Sequence, residues 1–222
     1  MDDITRNRIE MADAVEQWFA DHAAGVASNN KLKTTKNTFV TKLTLLRDTV
    51  GEQAGAVSEA KEQTDVKGDS RENCVTIAKK VNRSAKAAEI EQPGIETRYP
   101  YPRNLNDEAL VALLRSFAIG GATDDAIIAA YGAPVDWIAQ CDANADAFEA
   151  VTQLQSQASG EKVGKRALTL ALVDDLMQLI RTAGFIIENV FEGDVAALAS
   201  WKSASHVKTK KYTPPPPTPP TP

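Results

Sequence analysis

The sequence predicts an all-α protein: an antiparallel multi-helix bundle of the four-helix type, with small accessory helices. Three observations lead to this prediction. Apolar residues recur at spacings of three and four over most of the chain, which is the period of a helix with one buried face. No segment alternates apolar and polar residues as a half-buried strand does. Ten of the eleven prolines lie in residues 93–104 or in the last eleven residues, so they interrupt few helices.

The first 92 residues predict a leading helix followed by a helical hairpin. The leading helix ends at the Asn29-Asn30 pair, and a polar turn at residues 65–70 separates the two arms of the hairpin, with Asp69 or Ser70 as N-cap of the second arm. Short polar connections make consecutive helices antiparallel neighbours. The buried stripes are predicted to be Ile4, Met11, Val15, Trp18, His22 and Val26 in the leading helix, Phe39, Leu43, Leu46, Val50, Ala54 and Val57 in the first arm, and Cys74, Ile77, Val81, Ala85 and Ala88 in the second.

Residues 93–104 predict an extended crossover, because Pro93, Gly94, Pro100 and Pro102 oppose helix. With the four preceding residues, about 16 extended residues reach roughly 50 Å. A helix of about 30 residues is ~45 Å long, so the segment is expected to run the length of the bundle. The predicted organisation therefore has four parts: 1–92, the crossover 93–104, a second helical region 105–201 that packs in the same bundle, and a basic, proline-rich, extended tail 202–222.

The second helical region is predicted to begin with two short helices. The first covers residues 107–117 and ends before a hinge at Gly120-Gly121, because adjacent glycines weaken a helix. The second covers residues 124–131, with Thr123 as its N-cap. Both are expected to be accessory helices.

A longer helical stretch follows Pro134, which has the position of a first-turn proline. The pattern leaves open whether Ser159-Gly160 breaks this stretch or bends it. After that point apolar residues occupy more than one face, which predicts a central place in the bundle. Gly193-Asp194 are expected to start a last short helix that ends near Trp201.

The charge distribution restricts the classes of partner. The net charge is −5, which argues against a nucleic-acid or anionic-membrane binder. Residues 93–200 carry −8 and residues 201–222 carry +4, so a basic tail follows an acidic body.

The acidic N-terminus does not resemble a secretory signal, and the sequence predicts a cytoplasmic protein, with signal-less export left open. Cys74 and Cys141 lie on apolar helical positions and are expected to be buried free thiols.

The residues needed for several common chemistries are missing, so no catalytic, cofactor-binding or metal-ligating residue is predicted. A di-iron bundle needs Glu-x-x-His pairs, but Phe19 and Ser203 stand three residues before the two histidines, His22 and His206. His22 is expected to be a core or rim residue.

The Asp142-Ala-Asn-Ala-Asp146 run lacks the glycine and glutamate that a calcium loop requires, and a solvated helix face explains it better. The Asp124-Asp125 and Asp174-Asp175 pairs are expected to lie on solvated helix faces or to be first-turn acids that suit the helix dipole. Gly51–Gly55 and Gly160–Gly164 have GxxxG spacing, for which local close packing or helix relaxation is expected.

The tail is the only segment whose composition suggests a binding role. Seven prolines in its last eleven residues favour polyproline II, a conformation that loses little entropy on binding. Lys211 and the prolines after it fit the basic-x-x-Pro-x-x-Pro pattern of SH3-type ligands, although a stiff spacer has the same composition. A third possibility is that the tail lies on the acidic region of its own subunit or of a neighbour. The predicted partner-binding residues are Lys208, Lys210, Lys211, Tyr212, Pro214, Pro215, Pro216, Pro217, Pro219 and Pro220.

These features favour a non-enzymatic structural or assembly protein that self-associates or packs in a larger particle, with the proline-rich tail as docking arm. Its partners are then its own subunits or a tail-binding protein. Two alternatives remain open at the level of sequence. One is a monomeric adaptor that presents the tail to a groove on another protein. The other is an enzyme that uses carboxylates or an imported cofactor in the bundle.

Overall fold

The computed structural model describes residues 3–207, and the predicted all-α class is confirmed for them. Of these residues 86% are helical, and none lies in a strand. The helices are α1 (Asp3–Asp21), α2 (Ala23–Ser28), α3 (Asn30–Ala88), α4 (Ile95–Arg98), α5 (Asp107–Ala130), α6 (Trp137–Val190) and α7 (Val195–Ala204). No described helix is long and apolar enough to cross a membrane.

The chain forms two compact units. Among the described residues, unit 1 comprises residues 3–53 and 164–207, and unit 2 comprises residues 54–163. The limits of unit 2 lie inside the two longest helices, since Ala54 belongs to α3 and Val163 to α6. Each unit has its own hydrophobic core.

The core of unit 1 is built around aromatic side chains from both ends of the chain. Trp18 of α1 meets Trp201 of α7 edge to face, with ring centroids 5.0 Å apart, and its indole N–H donates to Ser200 Oγ at 2.9 Å. His22 stacks on Trp18 at 4.3 Å and its Nδ1 lies 3.0 Å from the Trp18 carbonyl oxygen, as expected for a rim histidine. The predicted stripe is wrong at Ile4, which is 66% exposed.

The start of α7 agrees with the sequence. Asp194 caps the helix by accepting a hydrogen bond from the Ala197 backbone N–H at 3.0 Å, and α7 continues to Ala204.

Exposed ion pairs join other helices of unit 1. Asp174 pairs with Arg8 at 3.0 Å and Asp175 pairs with Lys42 at 2.5 Å, so this acid pair lies on the surface as expected.

The core of unit 2 contains both cysteines, as predicted for buried free thiols. It also contains residues of all four helices that enter the unit, with Trp137, Tyr99, Phe117 and Phe148 as its largest fully buried side chains. The Tyr99 ring meets Phe117 at 5.3 Å and Trp137 at 5.7 Å, in both cases edge to face.

Two predicted interruptions do not occur. Residues 65–70 are helical within α3, because one exposed glycine costs a helix only about 1 kcal/mol while the hydrogen-bond ladder continues. The predicted hinge at Gly120-Gly121 is likewise wrong, since α5 runs through it. Thr123 is therefore not an N-cap: its hydroxyl donates to the Gly120 carbonyl oxygen at 3.1 Å, inside the helix. Ser159-Gly160 also lies within α6.

The crossover is only partly extended, because it contains the single turn α4. The Glu89 carboxylate accepts the backbone N–H groups of Gly94 at 2.7 Å and Glu96 at 2.8 Å, which satisfies donors at the start of that turn. The hydrogen bond from Gly94, with that from Glu96, lowers the pKa of Glu89. Gly94 has a φ of 91°, a left-handed conformation that suits glycine. Proline at position 93 thus precedes the helical turn without preventing it.

Candidate functional site

The ten residues that the sequence singles out as partner-binding lie outside the described part of the chain, which ends at Val207. They are Lys208, Lys210, Lys211, Tyr212, Pro214, Pro215, Pro216, Pro217, Pro219 and Pro220. The candidate site among the described residues is a surface groove of unit 2.

That surface is an open groove between α5 and α6 in unit 2, here called the acidic groove. It has a volume of about 600 Å³. Val111, Ala112 and Phe148 supply its apolar side chains, and Phe148 itself is buried. The complete lining is Asp107, Glu108, Val111, Ala112, Phe148, Glu149, Thr152 and Gln153.

Asp107 lies at the end of the groove near the start of α5, where α3 supplies two cations. Lys67 Nζ is 2.8 Å and Arg71 Nε 3.0 Å from its carboxylate oxygens. The hydrogen bond from Lys67 is the main reason that the pKa of Asp107 is lowered. Lys67 also lies 5.8 Å from the centroid of the Phe148 ring. Two cations against one carboxylate leave a formal charge of +1 at this end, so the negative character of the groove comes from other residues.

An excess of carboxylates surrounds Arg115 beside the groove. Its guanidinium contacts Asp142 at 3.3 Å, Asp146, and Glu149 at 3.1 Å. The hydrogen bond that Arg115 donates to Asp146 is the largest of the effects that raise the pKa of Arg115. One cation against three carboxylates leaves a formal charge of −2, and Glu108 has no ion-pair partner in residues 3–207. A basic ligand would therefore be attracted to this side of the groove.

The groove also contains a hydroxyl group without a partner. Thr152 Oγ1 is buried, and no described residue hydrogen-bonds to it. A buried polar atom without a partner carries a desolvation cost of about 1–3 kcal/mol. A ligand that brings a hydrogen-bond acceptor to Thr152 would recover part of that cost.

A buried polar cluster fixes α5, which forms one wall of the groove, to the crossover. Asp124 is 1% exposed, and its Oδ2 accepts the Tyr99 hydroxyl at 2.8 Å. Its Oδ1 lies 3.1 Å from Arg98 and accepts Gln92 Nε2 at 3.4 Å. Asn82 of α3 donates to the Tyr99 carbonyl oxygen at 2.6 Å. Burial, followed by the hydrogen bond to Asp124, raises the pKa of Tyr99.

The interpretation of Asp124 as part of a solvated face is wrong, whereas its neighbour Asp125 is exposed. The expected hinge at Gly120-Gly121 obscured the pattern. Once α5 is continuous, Asp124 falls on the buried stripe at spacings of four, three, four, three and four. That stripe is Leu110, Leu114, Phe117, Gly121, Asp124 and Ile128. Helical spacing was thus the signal that could have placed it in the core.

The two cysteines are structural. Cys74 Sγ donates to the Asn144 carbonyl oxygen at 3.3 Å. Burial raises the pKa of Cys74 to about 11 and that of Cys141 to about 12. Both thiols are therefore in their less nucleophilic, protonated form at neutral pH. In residues 3–207, no three His, Cys, Asp or Glu side chains are grouped so that they could hold a metal ion.

The thiols predict a loss of stability at alkaline pH. Their folded-state pKa values are raised, so the unfolded chain releases protons at lower pH than the folded chain, and the free energy of unfolding falls as pH rises above about 9. The slope approaches ~1.4 kcal/mol per pH unit for each thiol. Urea unfolding at several pH values between about 7 and 10 measures this slope. Replacing both cysteines by alanine should flatten the slope, and an unchanged slope would contradict the assignment.

Comparisons with known proteins give no match: no family model, no curated protein and no solved structure is similar to this chain.

Proposed function

We propose that this protein is a non-enzymatic assembly protein whose helical body associates with further copies, with the proline-rich tail as docking arm. The observation that carries the proposal is the opposition of charge between the tail and unit 2. Residues 105–163, which include α5 and the part of α6 that belongs to unit 2, contain nine acidic and two basic side chains, a formal charge of −7. Residues 208–222 contain three lysines and no acid.

An exposed apolar surface on α6 in unit 1 supports association of the body. Gly164, Ala167, Leu170 and Ala171 are all exposed and lie on one face of the helix. Apart from the glycine, its two neighbours and the nearby backbone of its own helix, no atom lies within 4 Å of the position that a Cβ on Gly164 would occupy. Small residues allow close approach of a second helix, and removal of Leu170 from water would add a favourable free energy.

Truncation of the tail tests the proposal. Light scattering of the full-length chain should give a mass above that of a monomer, and a chain that ends at Val207, which lacks the three lysines and the prolines after them, should give a lower mass. Circular dichroism of both chains controls for loss of helix. If the lysines contribute, higher ionic strength should also lower the mass of the full-length assembly, because screening weakens exposed charge pairs. Monomeric mass for both chains at high concentration would contradict the proposal.

A further inference from the structure

We propose that the acidic groove of unit 2 is the receptor for residues 208–222 of a second copy of this chain. The proposal rests on the assembly function above and adds the site at which the tail is held. Proline rings would lie on the apolar floor, and the lysines would lie beside the carboxylates. Three independent properties of the groove match three properties of this segment.

The first match is in hydrogen bonding. Proline has no backbone N–H, so a proline-rich segment offers carbonyl acceptors and few donors. A groove that binds it must supply donors. The Thr152 hydroxyl is buried without a partner in residues 3–207, and Gln153 adds an amide to the same lining. The unpaired Thr152 hydroxyl would thus donate to a backbone carbonyl of the proline-rich segment.

The second match is in shape and polarity. Val111, Ala112 and Phe148 form an apolar floor between the two helices. Polyproline II presents stiff apolar rings and loses little conformational entropy on docking. The groove volume of about 600 Å³ is in the range of clefts that hold a small-molecule ligand, so the groove would hold a few residues of the segment and not all of it.

The third match is in charge. Lys208, Lys210 and Lys211 immediately precede the prolines, so they would lie at one end of a docked segment. Glu108 and Glu149 line the groove, and Glu149 belongs to the cluster in which one arginine faces three carboxylates. Three cations in contact with the lining oppose this attraction. Lys67 and Arg71 are already paired with Asp107 at 2.8 and 3.0 Å, and Arg115 is outnumbered by its three carboxylates.

A Thr152→Val substitution in the full-length chain separates docking from folding. Valine keeps the shape of threonine and removes the unpaired hydroxyl, so the melting temperature should be equal to or above that of the wild type. Self-association measured by light scattering should be roughly three- to tenfold weaker, since one hydrogen bond is lost. Unchanged association would overturn the role of Thr152 in holding the segment.

A charge reversal tests the rim. The double variant Glu108→Lys, Glu149→Lys should associate about tenfold or more weakly, because two attractions become repulsions. The matched control is Glu59→Lys, which reverses one exposed charge of α3 in unit 2 outside the groove and should associate as the wild type does. If the double variant associates like wild type while tail truncation dissociates the chain, the groove is not the receptor, although the assembly function stands.

A mixing experiment decides whether the tail acts between copies. The chain with the two reversed charges keeps its tail, and a chain ending at Val207 keeps its groove. Each alone should be largely monomeric, and an equimolar mixture should regain a dimer, since the tail of the first binds the groove of the second. No gain of mass on mixing would overturn docking between copies. A full-length wild-type chain that is itself monomeric would overturn the assembly function together with this inference.

Discussion

Replacing Asp124 by alanine is expected to lower the free energy of unfolding of unit 2 by about 2–4 kcal/mol. The substitution leaves the buried Tyr99 hydroxyl without its acceptor at 2.8 Å and removes the contacts of Arg98 and Gln92. Arg98 is 43% exposed and can be solvated by water, so most of the loss comes from the tyrosine side of the cluster. Urea unfolding followed by circular dichroism measures the change.

The neighbouring residue offers a matched control. Asp125 is exposed, so Asp125→Ala removes the same charge and should change the free energy of unfolding by no more than about 0.5 kcal/mol. Tyr99→Phe should cost about 1–2 kcal/mol, and the double variant with Asp124→Ala should cost less than the sum of the two. Equal effects of the two aspartate substitutions would show that the buried cluster does not stabilise the fold.

Replacing Gly121 by alanine is expected to destabilise the protein by about 1–3 kcal/mol, although alanine is the better helix former. A Cβ at Gly121 would lie 2.6 Å from Ile138 Cγ1 and 2.7 Å from Trp137 Cη2. Trp137 is completely buried, so its ring has little room to move. The added methyl group therefore separates α5 from α6.

A glycine of α6 provides the control. Apart from its neighbours and the nearby backbone of its own helix, nothing lies within 4 Å of the position that a Cβ on Gly160 would occupy. Gly160→Ala should therefore raise the free energy of unfolding by about 0.5–1 kcal/mol. Thermal unfolding of both variants compares the two substitutions directly. A stabilising Gly121→Ala would mean that α5 and α6 do not pack closely at this position.

Both predictions bear on the acidic groove, because α5 and α6 are its walls. Asp124 ties α5 to the crossover, and Gly121 allows α6 to approach α5. A variant that loosens either contact is expected to weaken tail docking as well as folding. Thr152→Val is the more direct test of docking, because it leaves these contacts intact.

The helical class and several helix ends could be predicted from local chemistry. The starts of α5 and α7 follow from their N-cap side chains. Asn106 accepts the backbone N–H of Ala109, and Asp194 accepts that of Ala197, three residues further along the chain in each case. The burial of Cys74 and Cys141 follows from helical spacing. The acidic groove could not be predicted in this way, because its lining comes from helices whose contact depends on tertiary packing.

The sequence by itself determined that this chain is helical, that its prolines are concentrated at two places, and that residues 93–200 and the tail carry opposite charges. Only the tertiary structure decided that Gly121 is a packing site and that Asp124 is buried, since the same residues would suit a hinge and a solvated face. Helical spacing shows which residues share a face of a helix. The role of a glycine or an aspartate on that face depends on which side chain of another element packs against it. Trp137 fills the space at Gly121, and Tyr99 supplies the hydrogen bond at Asp124.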